Sequence, residues 1–207
     1  MNPMSLKRQK LSIDFYTGEL LIVAQQLLGK MFVFNNKNLG RKLSAKIVEV
    51  EAYNGNIDEA AHTFNGKTER NKIMFERGGY LYVYFTYGKH FCANIVTGKE
   101  EEGTAILLRG MEAIDGIESF SQNRFGKTSV DNKEKKNLLN GPGKICQAFG
   151  ISKEQYGMDL LSDEIYLLDA PRIPKNKIVQ TTRIGIKKSE ELPWRFYIED
   201  NSNVSRK

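Results

Sequence analysis

K-I-V-E-V-E-A-Y-N-G-N-I-D-E-A-A-H-T-F-N-G, residues 46–66, is the stretch on which the fold reading turns. It opens as an apolar extended run and closes that run on Glu51 and Tyr53. A turn-rich loop then leads into a short helical patch expected to carry His62. Ideal strand alternation puts Ile47, Glu49, Glu51 and Tyr53 on one face, with Val48, Val50 and Ala52 on the other. A carboxylate can therefore stand at the mouth of a cleft while its strand stays anchored in the core.

Working outward, Lys30 to Phe34 reads as a strand and Asn35 to Gly40 as a turn, which makes Leu43 to Tyr53 its antiparallel partner. Upstream, Thr17 is a candidate cap for a helix running to Leu28, with Leu20, Leu21, Ala24, Leu27 and Leu28 at helical intervals and Gly29 as its stop. Downstream, Tyr80, Tyr82 and Tyr84 share one strand face, and Leu81, Val83 and Phe85 share the other. The tyrosine face serves either as a stacking wall for a planar ligand or as buried hydroxyls with hydrogen-bond partners. Phe91 to Thr97 and Thr104 to Met111 form a hairpin, in which Asn94 and Arg109 interrupt apolar runs and must find partners or face a cleft. Residues 115–137 read as helix plus surface loop. Pro142 opens a short helix that Gly150 closes, with Lys144 near free N–H groups able to receive a phosphate. Further strands are expected at Glu164 to Leu168, Ile178 to Ile186 and Arg195 to Ile198. These elements give an α+β fold, with a basic N-terminal arm at residues 1–10 and one mixed domain at residues 11–207.

The 207 residues suffice for one large domain, and 40% hydrophobic content argues against disorder. A net charge of +6 fits either an anionic partner or ordinary solubility. Cys92 and Cys146 lack zinc spacing and read as reduced core thiols. The apolar run from Leu20 to Leu28 is too short to cross a membrane. The sequence contains no G-x-S-x-G elbow, P-loop or dinucleotide fingerprint, and its only histidines are His62 and His90. A histidine-rich metal centre is therefore excluded, and no metal or cofactor is expected.

The polar constellation on offer is Glu51, Tyr53, His62, Tyr84, Asn94 and Arg109. A carboxylate in an aromatic cleft, paired with Arg109, can orient or deprotonate water. Glu49 competes for that role, because a bulge or twist decides which glutamate faces the cleft. His62 can contact a base or simply pack.

Four segments together resemble the alkyladenine (3-methyladenine, or N-methylpurine) DNA glycosylase family: V-E-V-E-A-Y-N-G-N-I-D-E-A-A-H at 48–62, L-Y-V-Y-F-T-Y-G-K-H-F-C-A-N-I at 81–95, A-I-L-L-R-G-M-E at 105–112 and G-P-G-K-I-C-Q-A at 141–148. The resemblance runs from about Leu11 to Phe196. It implies a curved, mainly antiparallel sheet with peripheral helices, and a monofunctional enzyme that flips and excises damaged purines such as 3-methyladenine, 7-methylguanine, hypoxanthine and ethenoadenine from double-stranded DNA. Carried over by resemblance, Glu51 activates water, and Arg109 holds Glu51 and the target phosphate. Tyr53, His62 and Tyr84 wall the base, Asn94 rejects guanine, and Tyr87 wedges into the duplex. Lys144 and Arg183 are further DNA-contact candidates. A cytoplasmic monomer is expected, acting at the nucleoid with no membrane association. Two other readings stand beside it: a damage-binding protein that keeps the cleft but hydrolyses weakly, and a binder of free nucleobase or nucleotide.

Overall fold

The structure, a computed structural model, describes residues 9–37, 40–86 and 88–206. Its frame is one sheet of strands β1 (Met31–Asn36), β2 (Arg41–Asn54), β3 (Leu81–Thr86), β4 (His90–Thr97), β5 (Thr104–Asp115), β6 (Ile165–Leu168), β7 (Ile178–Thr181) and β8 (Arg195–Ile198). The main path is β3-β4-β5-β2-β1-β6, with β8 branching from β2 and carrying β7. All of these pairings are antiparallel. Among the described residues, five α-helices lie around the sheet: α1 (Ile13–Tyr16), α2 (Leu20–Leu27), α3 (Ile117–Phe125), α4 (Asn132–Asn137) and α5 (Pro142–Phe149). The α+β class, with a curved, mainly antiparallel sheet and peripheral helices, is the architecture expected.

Several boundaries move for local reasons. Thr17 does not cap α2; it closes α1, where its hydroxyl donates to the carbonyl of Ile13, the first residue of that helix. The Glu19 carboxylate takes the capping role, accepting from the Leu21 and Ile22 N–H groups at 3.0 Å each. The helix buries Leu20, Val23, Ala24 and Leu27, an i, i+3, i+4, i+7 stripe in which Val23 takes the place expected of Leu21, which is only half-buried. In α5, Pro142 occupies the first turn, and Gly150, at φ 72°, supplies the left-handed cap residue whose N–H reaches the Cys146 carbonyl. Phe149 meets Phe32 and Phe120 edge-on at 5.1 and 4.8 Å, fixing α5 and α3 to the sheet. β7 ends at Thr181, so residues 182–186 leave the sheet.

The basic arm lies almost wholly outside the described residues. Lys10, counted within it, forms a bridge to Leu168, donates to the Ser162 carbonyl and pairs with Asp163. Lys10 is therefore held against β6 and the turn that precedes it. Cys92 and Cys146 are free and buried. Among the described residues, no helix is long and apolar enough to cross a membrane.

The decisive feature is a double irregularity between β2 and β5. Ile47 pairs with Met111 and Glu49 with Gly110, leaving Val48 as an extra residue on β2. Val50 then pairs with Leu108, leaving Arg109 as an extra residue on β5. The alternation consequently changes phase. Ala45 and Ile47 face the main core before the slip, Val50 and Ala52 after it. Ile47 thus leaves the face that ideal alternation shared among Ile47, Glu49, Glu51 and Tyr53. The paired bulges also bend the sheet and turn Arg109 toward the two glutamates.

Candidate active site

Glu51, Tyr53, Tyr82, Tyr84, Asn94 and Arg109 converge on a cleft of about 380 Å³, closed by His62 on one side and by the 184–186 backbone on another. That volume falls in the range of about 300–1,000 Å³ usual for small-ligand pockets. β2 supplies Glu51 and Tyr53, β3 the tyrosines, β4 Asn94 and β5 Arg109. The sheet therefore delivers residues distant in sequence to one floor.

The Glu51 side chain is fully buried, and its polar partners fix its orientation. The Ile184 N–H donates to Oε1 at 2.8 Å, the Tyr53 hydroxyl donates to Oε2 at 3.0 Å, and Arg109 Nη1 donates to Oε2 at 3.4 Å. Burial pushes the carboxyl up from its ordinary value; Arg109, the Ile184 N–H and the Tyr53 hydroxyl pull it back, and Glu49 pushes it up again. The net direction is upward. A carboxylate offers about four lone-pair positions. These three donors leave room for one more hydrogen.

Glu49 shares the face but not the cleft. It is also fully buried, and it accepts from Arg195 Nε at 2.7 Å, the Ser205 N–H at 2.6 Å and the Ser205 hydroxyl at 3.0 Å. Arg109 Nε lies 3.4 Å from Glu49 Oε1 and 3.3 Å from Glu51 Oε1, between the two carboxylates. That N–H makes no directed hydrogen bond. The competition between the glutamates resolves by access: only Glu51 reaches the cleft.

The aromatic wall is partly the expected one. Tyr82 and Tyr84 stack with centroids 5.5 Å apart, while Tyr80 turns away from the cleft beneath Arg77. His62 stands edge-on to Tyr84 at 4.5 Å, and its Nδ1 is 2.9 Å from the Tyr82 hydroxyl. Turns, not a helical patch, present His62. Its packed surroundings and then Arg70 push its pKa down, favouring neutral imidazole. Burial and then the Glu51 charge hold the Tyr53 hydroxyl protonated, as a donor must be. Asn94 is 5% exposed, with its Nδ2 donating to the Tyr82 carbonyl at 3.3 Å. Phe85 shares its strand face with the buried Leu81 and Val83 but is itself 49% exposed beside Phe91.

The DNA-contact candidates divide. Tyr87 lies outside the described residues. Lys144 sits in the first turn of α5, next to Pro142 at the cleft, and its Nζ donates to Asn140 Oδ1 at 2.7 Å. Arg183 requires a correction, because its side chain has no exposed surface with which to meet a phosphate. Its two terminal nitrogens grip Asp58 at 2.5 and 2.8 Å, and they also donate to the Ala52 and Ser189 carbonyls. The guanidinium carbon lies 4.6 Å from the Tyr53 ring centre. Arg183 therefore backs Tyr53 from behind and holds the loop that presents the Ile184 N–H to Glu51. Of the neighbouring Thr181, Thr182 and Arg183, only the arginine is buried, and nothing in the sequence marks that difference. Sequence reading also missed the Ile184 N–H, whose role as a backbone donor leaves no side-chain signature, and Cys92 and Thr86 on the cleft lining. No group of three or more His, Cys, Asp or Glu side chains among the described residues is placed to hold a metal.

The model of the methylpurine-DNA glycosylase family matches residues 14–202, nearly the whole chain. The chain belongs to that family. It is 46% identical over 205 residues to a Clostridium novyi protein, covering 96% of this chain and all of that one. An Alkaliphilus oremlandii protein is 48% identical over 204 residues, with 96% and 100% covered. A Chlorobium luteolum protein is 43% identical over 197 residues, with 95% and 97% covered. All three are provisionally named 3-methyladenine DNA glycosylases. Membership ties the chain to DNA-repair glycosylases, and the matched span holds the whole cleft from Glu51 to Ile186.

Proposed function

We propose that this chain is a monofunctional glycosylase that hydrolyses the N-glycosidic bond of alkylated or deaminated purines in double-stranded DNA, with 3-methyladenine, 7-methylguanine, hypoxanthine and ethenoadenine as candidate lesions. The observation that carries this reading is one fully buried carboxylate, Glu51, oriented by three donors at the floor of an aromatic cleft.

A base must leave the stack before its glycosidic bond can be reached, and damaged bases cost less to flip. The flipped purine lies between Tyr53, Tyr84 and His62, where an alkylated, cationic ring gains cation–π attraction. Asn94 meets the edge at which guanine carries its extra amino group and disfavours it. Glu51 accepts a proton from the water that attacks C1′ as the base departs. Upward displacement of its pKa by burial makes it a stronger base than an exposed glutamate. Arg109 steadies Glu51 and reaches toward the target-site phosphate. Tyr87 fills the gap left in the duplex, and Lys144 grips the backbone beside it. No protein-bound cofactor takes part.

The test is free-base release from duplexes carrying each lesion, with the purine identified by mass and the abasic strand revealed by alkaline cleavage. Release of base with a matching abasic strand is expected. The alternative, a weakly hydrolysing damage binder, predicts salt-dependent binding of the same duplexes with no free base.

A further inference from the structure

Glu49 makes a set of contacts that base release by Glu51 does not itself require. It is fully buried and accepts only from donors: Arg195 Nε, the Ser205 N–H and the Ser205 hydroxyl, with Arg109 Nε at 3.4 Å. A carboxylate withdrawn from water needs such compensation, and Arg195 and Ser205 supply it. The segment around Ser205 closes on it tightly. A Cβ at Gly110 would lie 2.9 Å from Glu49 Oε2 and 3.0 Å from the Asn203 carbonyl, so glycine there permits the approach. Arg195 is tied to the same segment through the Arg206 carbonyl.

Glu49, Glu51, Arg109 and Arg195 thus form a buried row of two carboxylates and two guanidinium groups, neutral as a set. Arg109 is the shared member. We propose that Glu49, anchored by Arg195 and Ser205, is a positioning residue: it holds Arg109 between the two carboxylates and stops that guanidinium from neutralising Glu51 outright, so that Glu51 stays basic enough to take the proton from water. The other polar groups facing Glu51 are the Tyr53 hydroxyl, the Ile184 N–H and, more remotely, Tyr84; Cys92 flanks Tyr84 and Arg109. None of them supplies a second negative charge next to Arg109 under the conditions of the reaction, since Tyr53, Tyr84 and Cys92 are all displaced upward by burial.

The role assigned to Glu49 presupposes base release by this chain, so the experiment begins with the parent protein. Single-turnover base release from a duplex containing an alkylated purine is followed across the acid limb for the parent, Glu49→Gln, Glu49→Asp and Arg195→Gln. Melting curves and abasic-duplex binding report whether each variant is folded. Glu49→Gln leaves a net positive cluster and moves the limb to lower pH, with a plateau loss on the order of 10-fold, smaller than removal of the general base itself. Arg195→Gln leaves a net negative cluster and moves the limb to higher pH. Glu49→Asp keeps the charge and leaves the limb in place, although its shorter reach lowers the plateau. A purely structural Glu49 would lower rates at every pH without moving the limb. Unshifted limbs, or shifts of the same sign in Glu49→Gln and Arg195→Gln, overturn the proposal; if only one of these two folds, the sign of its shift decides. No base release by the parent instead overturns the glycosylase reading, a separable failure.

Discussion

Replacing Asp58 with asparagine tests whether Arg183 is a structural clamp or a DNA contact. The substitution keeps shape and volume but removes the only carboxylate that, among the described residues, pairs with a guanidinium with no exposed side-chain surface. Breaking one partner out of a buried ion pair costs about 3–5 kcal/mol, because the other charge stays buried without its counter-ion. The Ala52 and Ser189 carbonyls still accept from Arg183, which places the expectation toward the lower end of that range. For a chain of this size each kcal/mol lowers Tm by about 2–4 °C, so a fall of about 6–12 °C is expected. The loop presenting the Ile184 N–H to Glu51 should loosen as well, lowering single-turnover release in the protein that remains folded. The assay is a thermal melt together with duplex binding at several salt concentrations. A clamp predicts a lowered Tm and an unchanged log–log salt slope. If Asp58→Asn melts within 2 °C of the parent, roughly the shift of a 1 kcal/mol change or less, or if Arg183→Gln reduces the salt slope by about one phosphate's worth, the clamp assignment is wrong.

Three further outcomes follow from the structure. Because burial raises the Glu51 carboxyl, base release from an alkylated purine should rise with pH through a limb above the ordinary carboxylate range; a limb at or below that range would contradict the reading. Its sign for stability is opposite: a raised folded-state value makes the Glu51 contribution greatest below the ordinary value, and that contribution falls as pH climbs to the raised value and is level beyond it. Glu51→Gln should therefore flatten that part of the urea-unfolding profile. Separately, a Cβ at Gly78 would lie 2.4 Å from the Tyr16 carbonyl oxygen, a backbone atom unable to step aside. Gly78→Ala should cost about 1–3 kcal/mol in a denaturant titration, with cleft chemistry otherwise intact.

The strands were legible because their alternation is a local property: β2, β4 and β8 appear where apolar periodicity puts them. The ends of α5 were legible for the same kind of reason, since Pro142 and Gly150 each serve a backbone geometry that few residues share. What escaped depends on distant partners. The phase change between Ile47 and Val50 arises from extra residues on two strands at once, and nothing in either strand alone marks Val48 or Arg109 as unpaired. Glu49 and Glu51 look equivalent along β2, and are told apart by Arg195 and Ser205, about 150 positions away. Arg183 reads as a basic residue in a loop until Asp58 is brought beneath it. Thr17 looked like a cap because its hydroxyl can accept an N–H, but α2 starts only at Leu20, so Glu19 stands at the capping position while Thr17 closes α1.

In the proposed function Glu51 performs the chemistry, in a cleft whose other residues hold the base. Single-turnover release of a damaged purine by the parent and by Glu51→Gln, with binding to the same duplex measured in parallel, addresses it most directly. Glutamine can still accept from the Ile184 N–H but cannot take a proton from water. Binding should persist while release falls by about 100-fold or more, the lower bound of a general-base contribution. Release within a few-fold of the parent at equal binding would contradict the account.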